Sequence, residues 1–178
     1  MQMMYNRKEG GKRMKYTVRP AKLSDLGRIE EIYSYARDFM EKNGNPNQWG
    51  KTNPPTAQLR QDIAQNRLFV ISDGESIHGV FFFWVGEDPT YQRIDGGAWR
   101  SDTPYGTIHR IAGDGSGGIL KTAVAFATGK IGHLRIDTHE DNHVMQGAVK
   151  KLGFQRRGII YIADCSPRIA YDYLEWEK

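Results

Sequence analysis

Hydrophobic positions recur along this chain with two different periods, which predicts helices in some segments and strands in others. An apolar stripe at helical spacing runs from 26 to 40, directly after the cap candidate Asp25. A second such stripe runs from 144 to 152 and stops at Gly153, a residue type that commonly ends helices. Two shorter helices are predicted at 56–66 and from the glycine-rich loop to 129.

Strand-like segments lie between the predicted helices. They are short apolar or alternating runs bounded by turn residues, and Asp73-Gly74 between two of them is a strong hairpin signal. The predicted strands fall within 16–22, 67–86 (two strands), 105–112, 133–139, 154–164 and 168–178. The order of elements is β-α-α-β-β-β-α-β-α-β-β, which predicts a single domain of the α/β class.

The composition is typical of a soluble globular domain. The chain has 178 residues, of which 39% are hydrophobic and 26% are charged. The longest apolar run, at 80–85, is far shorter than the roughly 18 residues that a membrane-spanning helix needs. We therefore expect one folded domain over 15–178, with no membrane partner.

The excess positive charge is confined to the start of the chain. The formal net charge is +4, and residues 1–15 hold five basic residues against one acidic residue. The remaining chain is balanced, so the folded domain has no electrostatic signature of nucleic-acid binding and we expect no nucleic-acid partner. Residues 1–14 are predicted to be a disordered basic tail. A nucleic-acid-binding role for this tail is kept as an alternative.

A single cysteine, Cys165, excludes an intramolecular disulfide. The first residues also lack the apolar core of a secretory signal. Both observations favour a cytoplasmic location. Because no activating base lies beside Cys165 in the sequence, we interpret it as an inert side chain.

Residues 105–126, YGTIHRIAGDGSGGILKTAVAF, combine a strand, a glycine-rich loop and a helix. A helix N-terminus presents unpaired amides and a partial positive charge, so such a loop can hold an anion. The P-loop pattern G-x-x-x-x-G-K-[ST] fails because Ile119 and Leu120 follow Gly118. The Rossmann pattern fits by glycine spacing, but the ribose-binding acid is missing near position 133. From the loop alone, a plain turn and a phosphate site both stay open.

The order of elements resembles the GNAT superfamily of acyl-CoA-dependent acetyltransferases over 15–178. The segment VRPA at 18–21 is similar to the opening strand of that family, and 105–128 is similar to its central strand, loop and helix. The run from Asn142 to KKLGF at 150–154 resembles the family motif N-x-x-A/M-x-x-x-Y-x-K-x-G-F. The resemblance implies a GNAT-like fold with a mixed sheet.

The resemblance also implies that acetyl-CoA is the co-substrate and that no metal is required. The pantetheine arm is expected along 108–112, with the pyrophosphate on the loop amides. The residues implied in cofactor binding are Ile111, Ala112, Gly113, Asp114, Gly115, Ser116, Gly117, Gly118, Ile119 and Asn142. Two departures stand out: only Gly118 fits the loop signature of the family, and Val149 replaces the tyrosine that often protonates the leaving thiolate.

Acetyl transfer requires a neutral amine, since an ammonium group with a pKa near ~10 is not nucleophilic at neutral pH. His109 on the central strand and Glu87 and Asp88 at the end of the preceding strand are candidate bases, of which Glu87 is preferred. Tyr161 is a candidate replacement for the acid missing at Val149. Each also has a structural interpretation, which is packing for His109 and Tyr161 and an exposed turn for Glu87.

Polar loops supply candidates for the acceptor pocket, which are Trp49, Asp95 and Trp99, with Arg100 beside them. Asp137, His139 and His143 hint at a metal site, but they mix strand and helix positions and we expect no metal.

We predict an acetyl-CoA-dependent N-acetyltransferase that moves an acetyl group to a primary amine of a small molecule or peptide, by direct attack on the thioester. A homodimer is one assembly that relatives commonly form. The alternative is a non-catalytic acyl-CoA-binding or sensing module, which the absent tyrosine at Val149 favours. The sequence does not identify the acceptor.

Overall fold

A computed structural model describes residues 5–9 and 12–177 of the chain, with side chains from 16 to 176. Within these residues no helix combines the length and the apolar character needed to cross a membrane. The strands are β1 (Tyr5–Glu9), β2 (Lys12–Pro20), β3 (Leu68–Ser72), β4 (Ile77–Val85), β5 (Gly106–Gly113), β6 (His133–Thr138), β7 (Gln155–Tyr161) and β8 (Pro167–Leu174). The helices are α1 (Leu26–Lys42), α2 (Thr56–Ala64), α3 (Ile119–Thr128) and α4 (His143–Lys151).

The eight strands form one mixed sheet in the order β1-β2-β3-β4-β5-β6-β8-β7. Only β5 and β6 run parallel among the paired strands that the structure describes, and every other pair is antiparallel. From β2 onward the order of helices and strands confirms the predicted α/β fold class. The parallel pair is connected through α3, as a βαβ unit requires.

The beginning of the chain differs from the prediction. The first predicted strand, 16–22, in fact begins at Lys12 and ends at Pro20, and β1 precedes it and pairs with it. Residues 5–9 and 12–14 of the predicted disordered tail thus lie in β1 and β2. Residues 1–4, 10 and 11 lie outside the described part of the chain, and for them the tail stays a prediction. Sequence alternation missed β1 because its residues, YNRKE, are almost all polar.

Two hydrophobic cores lie on opposite faces of the sheet, and the alternation of β4 divides its side chains between them. Phe81 and Phe83 pack in the core beneath α3 and α4. Val80 and Phe82 pack on the other face, against buried residues of α1 and α2. This period of two is the hallmark of a strand that is covered on both faces.

α1 and α2 cover only part of their face of the sheet, and the connection between β4 and β5 covers the part over β7 and β8. Its residues Tyr91 and Tyr105 form a third small core with Ile160 of β7 and Ala170 of β8. Asp95 pairs with Ile159 through two backbone hydrogen bonds of 2.8 and 2.9 Å. This connection, one of the polar loops in the sequence, is therefore anchored to the far edge of the sheet.

Candidate active site

The parallel strands β5 and β6 separate soon after they begin. They pair at Gly106↔Leu134 and Thr107↔Arg135, and no further pairing joins them within the described residues. The edge of β5 that faces β6 is therefore open from Ile108 onward. We call this wedge-shaped space the cleft, and its wide end lies at the carboxyl ends of both strands.

A bulge and a buried hydroxyl shape β5 beside the cleft. The pairing with β4 shifts between Val80 and Phe82, and Arg110 adopts a left-handed φ of 48°. The hydroxyl of Tyr33 on α1 donates a 2.7 Å hydrogen bond to the Arg110 carbonyl, which fixes the bulge. A bulge at this point re-aims the side chains next to the open edge.

The glycine-rich loop closes the wide end of the cleft. Gly115, Gly117 and Gly118 have φ values of 92°, 67° and 74°, in the left-handed region that favours glycine. In the described chain, the amides of Gly115 and of residues 117–121 donate to no protein group, and the first helical hydrogen bond is from Thr122 to the Gly118 carbonyl at 2.9 Å. The loop thus presents a row of free N–H groups at the N-terminus of α3, as an anion site requires.

Two of the predicted loop amides already donate to protein groups. The amide of Asp114 donates to the His78 carbonyl at 3.0 Å, and the amide of Ser116 donates to the Asp114 carboxylate at 3.1 Å. The amides available to a ligand are accordingly those around Gly117–Ile119. Ile111, Ala112 and Gly113 form the end of β5 that leads into this loop.

A cluster of ionisable side chains lies where β5 and β6 begin to separate. His109 of β5 contacts Asp88 with Nε2 at 2.8 Å and Asp137 of β6 with Nδ1 at 3.3 Å. The hydroxyl of Tyr91 donates to Asp137 at 2.8 Å. The side chain of His109 is 19% exposed, so the cluster is shielded but reachable. An imidazole with a carboxylate at each nitrogen satisfies both contacts only as a donor from both.

The pKa values of the cluster follow from these contacts. Burial alone lowers the pKa of His109, but hydrogen bonds and charge from Asp137 and Asp88 outweigh it and raise that pKa to about 9. Burial opposes the ionisation of Asp88, but its contacts with His109 and Thr90 lower its pKa. Burial, followed by the charge of Asp137, raises the pKa of Tyr91 well above its usual range. At neutral pH His109 is therefore an imidazolium, held between the side chains of Asp88 and Asp137.

The structure does not bring the other two predicted catalytic residues to this cluster. Glu87 is exposed, and its neighbour Asp88 provides the carboxylate that contacts His109. Tyr161 lies on β7, the edge strand, which β6 and β8 separate from β5 by three spacings of about 4.8 Å. A hydrogen bond with Asp95 raises the pKa of Tyr161, whose ring also contacts the Arg93 guanidinium.

The loop between α1 and α2 reaches the β6 side of the cleft. Asn142 caps α4 by accepting a 3.0 Å hydrogen bond from the Met145 amide, and its Nδ2 donates to Gln48 Oε1 at 2.8 Å. Trp49, next to Gln48, packs edge-on against Tyr33 at 5.5 Å between ring centroids. The hydrogen bond between Asn142 and Gln48 therefore brings the α1–α2 loop, with Trp49, next to the N-terminus of α4.

The other predicted acceptor residues lie further along the sheet. Trp99 donates from Nε1 to the Tyr91 carbonyl at 3.0 Å and packs on the Arg135 guanidinium at 4.1 Å. Asp95 pairs with Arg93 at 2.7 Å and anchors the connection to β7. Trp99 thus holds the backbone of Tyr91, whose hydroxyl contacts the cluster, whereas Asp95 is remote from the cluster.

Several site residues were missed or misassigned from the sequence. Glu87 was preferred over its neighbour Asp88, which contacts His109, because no signal in the sequence tells which of two adjacent acids faces inward. Asp137 was considered only as a metal ligand, yet it contacts His109 and Tyr91. No group of three or more His, Cys, Asp or Glu side chains in the described ranges is arranged for a metal ion.

Known proteins resemble this chain in structure more clearly than in sequence. No family model matches it, and no curated protein matches it. Many solved structures do. A GNAT-family acetyltransferase from Streptococcus agalactiae is 26% identical, with a TM-score of 0.80, and the match covers 89% of this chain and 95% of that one.

Two further structures are less similar in sequence. An acetyltransferase from Staphylococcus aureus is 21% identical, with a TM-score of 0.62 over 89% of this chain and 98% of that one. An acetyltransferase from Salmonella typhimurium, solved with its cofactor acetyl-CoA, is 14% identical, with a TM-score of 0.56 over 90% of this chain and 94% of that one. The resemblance inferred from VRPA, 105–128 and Asn142 is thereby confirmed. The chain has the fold of the GNAT superfamily of acetyltransferases, and this likeness to named acetyltransferases supports an acyltransferase enzyme.

Proposed function

We propose that this enzyme transfers an acetyl group from acetyl-CoA to a primary amine. The observation that carries the proposal is the cleft between β5 and β6, which ends in the free amides around Gly117–Ile119. An extended pantetheine chain can occupy the open edge of β5, while a pyrophosphate accepts hydrogen bonds from the loop. The similar structure from Salmonella typhimurium, which holds acetyl-CoA, supports this choice of co-substrate.

The ionised cluster suits an amine acceptor. Asp88 and Asp137 place two acidic side chains at the narrow part of the cleft, where their oxygens can accept hydrogen bonds from an ammonium group. Once the amine has lost a proton to solvent, its nitrogen attacks the thioester carbonyl. A C–N bond then forms as the C–S bond breaks, and backbone N–H groups on the open edge of β5 are the candidate donors to the oxyanion.

His109 is suited to act as an acid rather than as the predicted base. Its raised pKa, about 9, means that it carries a proton at neutral pH and has no free basic nitrogen. A thiolate leaving group has an ordinary pKa near ~8.5, so proton transfer from this imidazolium to the sulfur is nearly balanced in energy. In this proposal His109 takes the role that tyrosine often fills in the family, because Val149 is buried in the core.

A small molecule or a peptide with a primary amine remains the expected acceptor, and a homodimer and a cytoplasmic location remain expectations. The α1–α2 loop, through Gln48 and Trp49, and the β4–β5 connection, through Tyr91, border the cleft from the face opposite α3 and α4. We propose that the acceptor enters between these two loops.

Turnover tests the proposal directly. The purified chain is incubated with acetyl-CoA and a panel of amines, and free thiol release is followed together with the mass of the acetylated product. We expect thiol and N-acetylated amine to appear in equal amounts. Tight CoA binding with no thiol release for any amine favours the alternative, a binding module, for which Val149 is the supporting observation. A chain that neither binds CoA nor releases thiol contradicts both the enzyme and the binding module.

A further inference from the structure

The glycine-rich loop contains one residue that conflicts with its proposed ligand. Asp114 is the first residue after β5, and it carries a carboxylate within a segment whose amides are free to bind an anion. Burial tends to raise the pKa of Asp114, but contacts with Ser116 and His78 outweigh it and lower that pKa, so the group is ionised at neutral pH. An uncompensated negative charge here repels a pyrophosphate.

Three side chains surround the Asp114 carboxylate. Arg28 of α1 donates from Nη2 to Oδ2 at 2.8 Å, and His78 Nδ1 lies 3.0 Å from the same oxygen. Ser116 donates from Oγ to Oδ1 at 2.6 Å. The other nitrogen of His78 contacts Asp73 at 3.0 Å, so the charge of Asp73 already faces this imidazole. Arg28 is thus the one permanently charged cation on Asp114 in the described chain.

The position of Arg28 suggests a role beyond stabilising α1. Its Nε donates to the Ile77 carbonyl at 3.0 Å, and its Nη1 contacts Glu31 at 3.0 Å, so the guanidinium is held in place from two sides. The side chain is nevertheless 38% exposed. A partly exposed ion pair contributes little to folding stability, whereas a fixed charge beside an anion site affects binding.

We infer that Arg28 is a positioning residue for acetyl-CoA, which it favours by cancelling the charge of Asp114 beside the pyrophosphate. The inference rests on the proposed function, and it assigns to α1 a part in cofactor binding. Asp114 in turn shapes the loop by accepting from the Ser116 amide, a contact that an asparagine side chain can also accept.

The first test measures the kinetics of Arg28→Met with two substrates, acetyl-CoA and acetyl-pantetheine. We expect KM for acetyl-CoA to rise roughly tenfold with kcat nearly unchanged, because one unscreened charge now faces the pyrophosphate. Acetyl-pantetheine lacks the pyrophosphate, so its kcat/KM is expected to stay at the wild-type value. The rise in KM for acetyl-CoA shrinks in high salt, since salt screens exposed charges. An equal loss of kcat/KM with acetyl-CoA and with acetyl-pantetheine overturns the inference and indicates a structural role for Arg28.

The second test is rescue by removal of the opposing charge. Asp114→Asn is expected to bind CoA at least as tightly as the wild type, and R28M/D114N is expected to restore the wild-type KM. Glu31→Gln, which removes the other carboxylate on Arg28, is the matched control and leaves KM unchanged. If R28M does not fold, weaker CoA binding by D114N alone overturns the inference. A wild-type chain that binds no CoA instead refutes the proposed function.

Discussion

His109 is held between two carboxylates that come from different parts of the chain. Asp88 follows β4 and Asp137 lies on β6. The His109 side chain therefore links β5 to both of these segments at the point where β5 and β6 separate. This arrangement converts a side chain that titrates near neutrality into a lasting cation. A proton held on His109 at neutral pH favours the proposed role as an acid toward the leaving thiolate over a role as a base toward the amine.

The pH dependence of kcat/KM for acetyl-CoA distinguishes these roles, because this parameter reports the ionisation of the free enzyme. If His109 is the acid, kcat/KM of the wild type falls above about pH 9, the pKa that the contacts with Asp88 and Asp137 give it. His109→Gln is expected to lose this descending limb and at least roughly tenfold in kcat/KM. Tyr161→Phe is the comparison, because the remote edge strand predicts an unchanged profile. A wild-type kcat/KM that rises up to pH 9 and then levels contradicts the acid role.

The same cluster makes folding stability depend on pH. The pKa of His109 is raised on folding from 6.5 to about 9, so the folded state binds its proton more tightly than the unfolded state. The stabilisation is complete below pH 6.5 and is lost as the pH rises to about 9. Urea unfolding of wild type and H109Q at several pH values is expected to show a difference in unfolding free energy that narrows across this window. A difference that stays constant contradicts the ion-paired imidazolium.

At the scale of elements, the N-terminus of α3 depends on backbone geometry more than on side chains. Gly118 is its N-cap and has a φ of 74°, which other residues adopt only with strain. Gly118→Ala is expected to lower the free energy of unfolding by about 1 kcal/mol and to weaken CoA binding, because the free amides turn away from the cleft.

Gly147→Ala in α4 is the matched control for that substitution. Gly147 lies inside a helix, and a Cβ placed on it meets no atom within 4 Å. Alanine there is expected to raise the free energy of unfolding by up to about 1 kcal/mol and to leave CoA binding unchanged. Denaturant titration and calorimetry with CoA measure both quantities. Equal CoA affinity for G118A and wild type contradicts the assignment of the loop.

Local patterns predicted the elements well where they were strongly amphipathic or had clear turn residues. The apolar stripe at 26–40 became α1, and the hairpin at Asp73-Gly74 joined β3 to β4. The same rules could not place residues that depend on strand order. Tyr161 follows an apolar run, but only the antiparallel return of β8 puts β7 at the edge of the sheet. Which of Glu87 and Asp88 faces His109 is likewise a property of the folded chain.

At the scale of the whole molecule, one topological feature creates the site. The sheet is antiparallel except at β5 and β6, and there the crossover through α3 lets the two strands diverge. Divergence leaves one strand edge without a partner inside a fully covered sheet, where unpaired backbone groups are unfavourable unless a ligand binds them. The cleft, the free amides at its wide end and the cluster around His109 at its narrow end are consequences of this single arrangement.

A crystal structure of the chain with CoA tests this arrangement most directly. The account predicts the pantetheine arm between β5 and β6, paired with the open edge of β5 beyond Ile108, and the pyrophosphate within hydrogen-bonding distance of the amides around Gly117–Ile119. It also predicts the sulfur on the side of the cleft nearest His109. CoA bound elsewhere on the molecule, or β5 and β6 closed by pairing along their full length, contradicts the account.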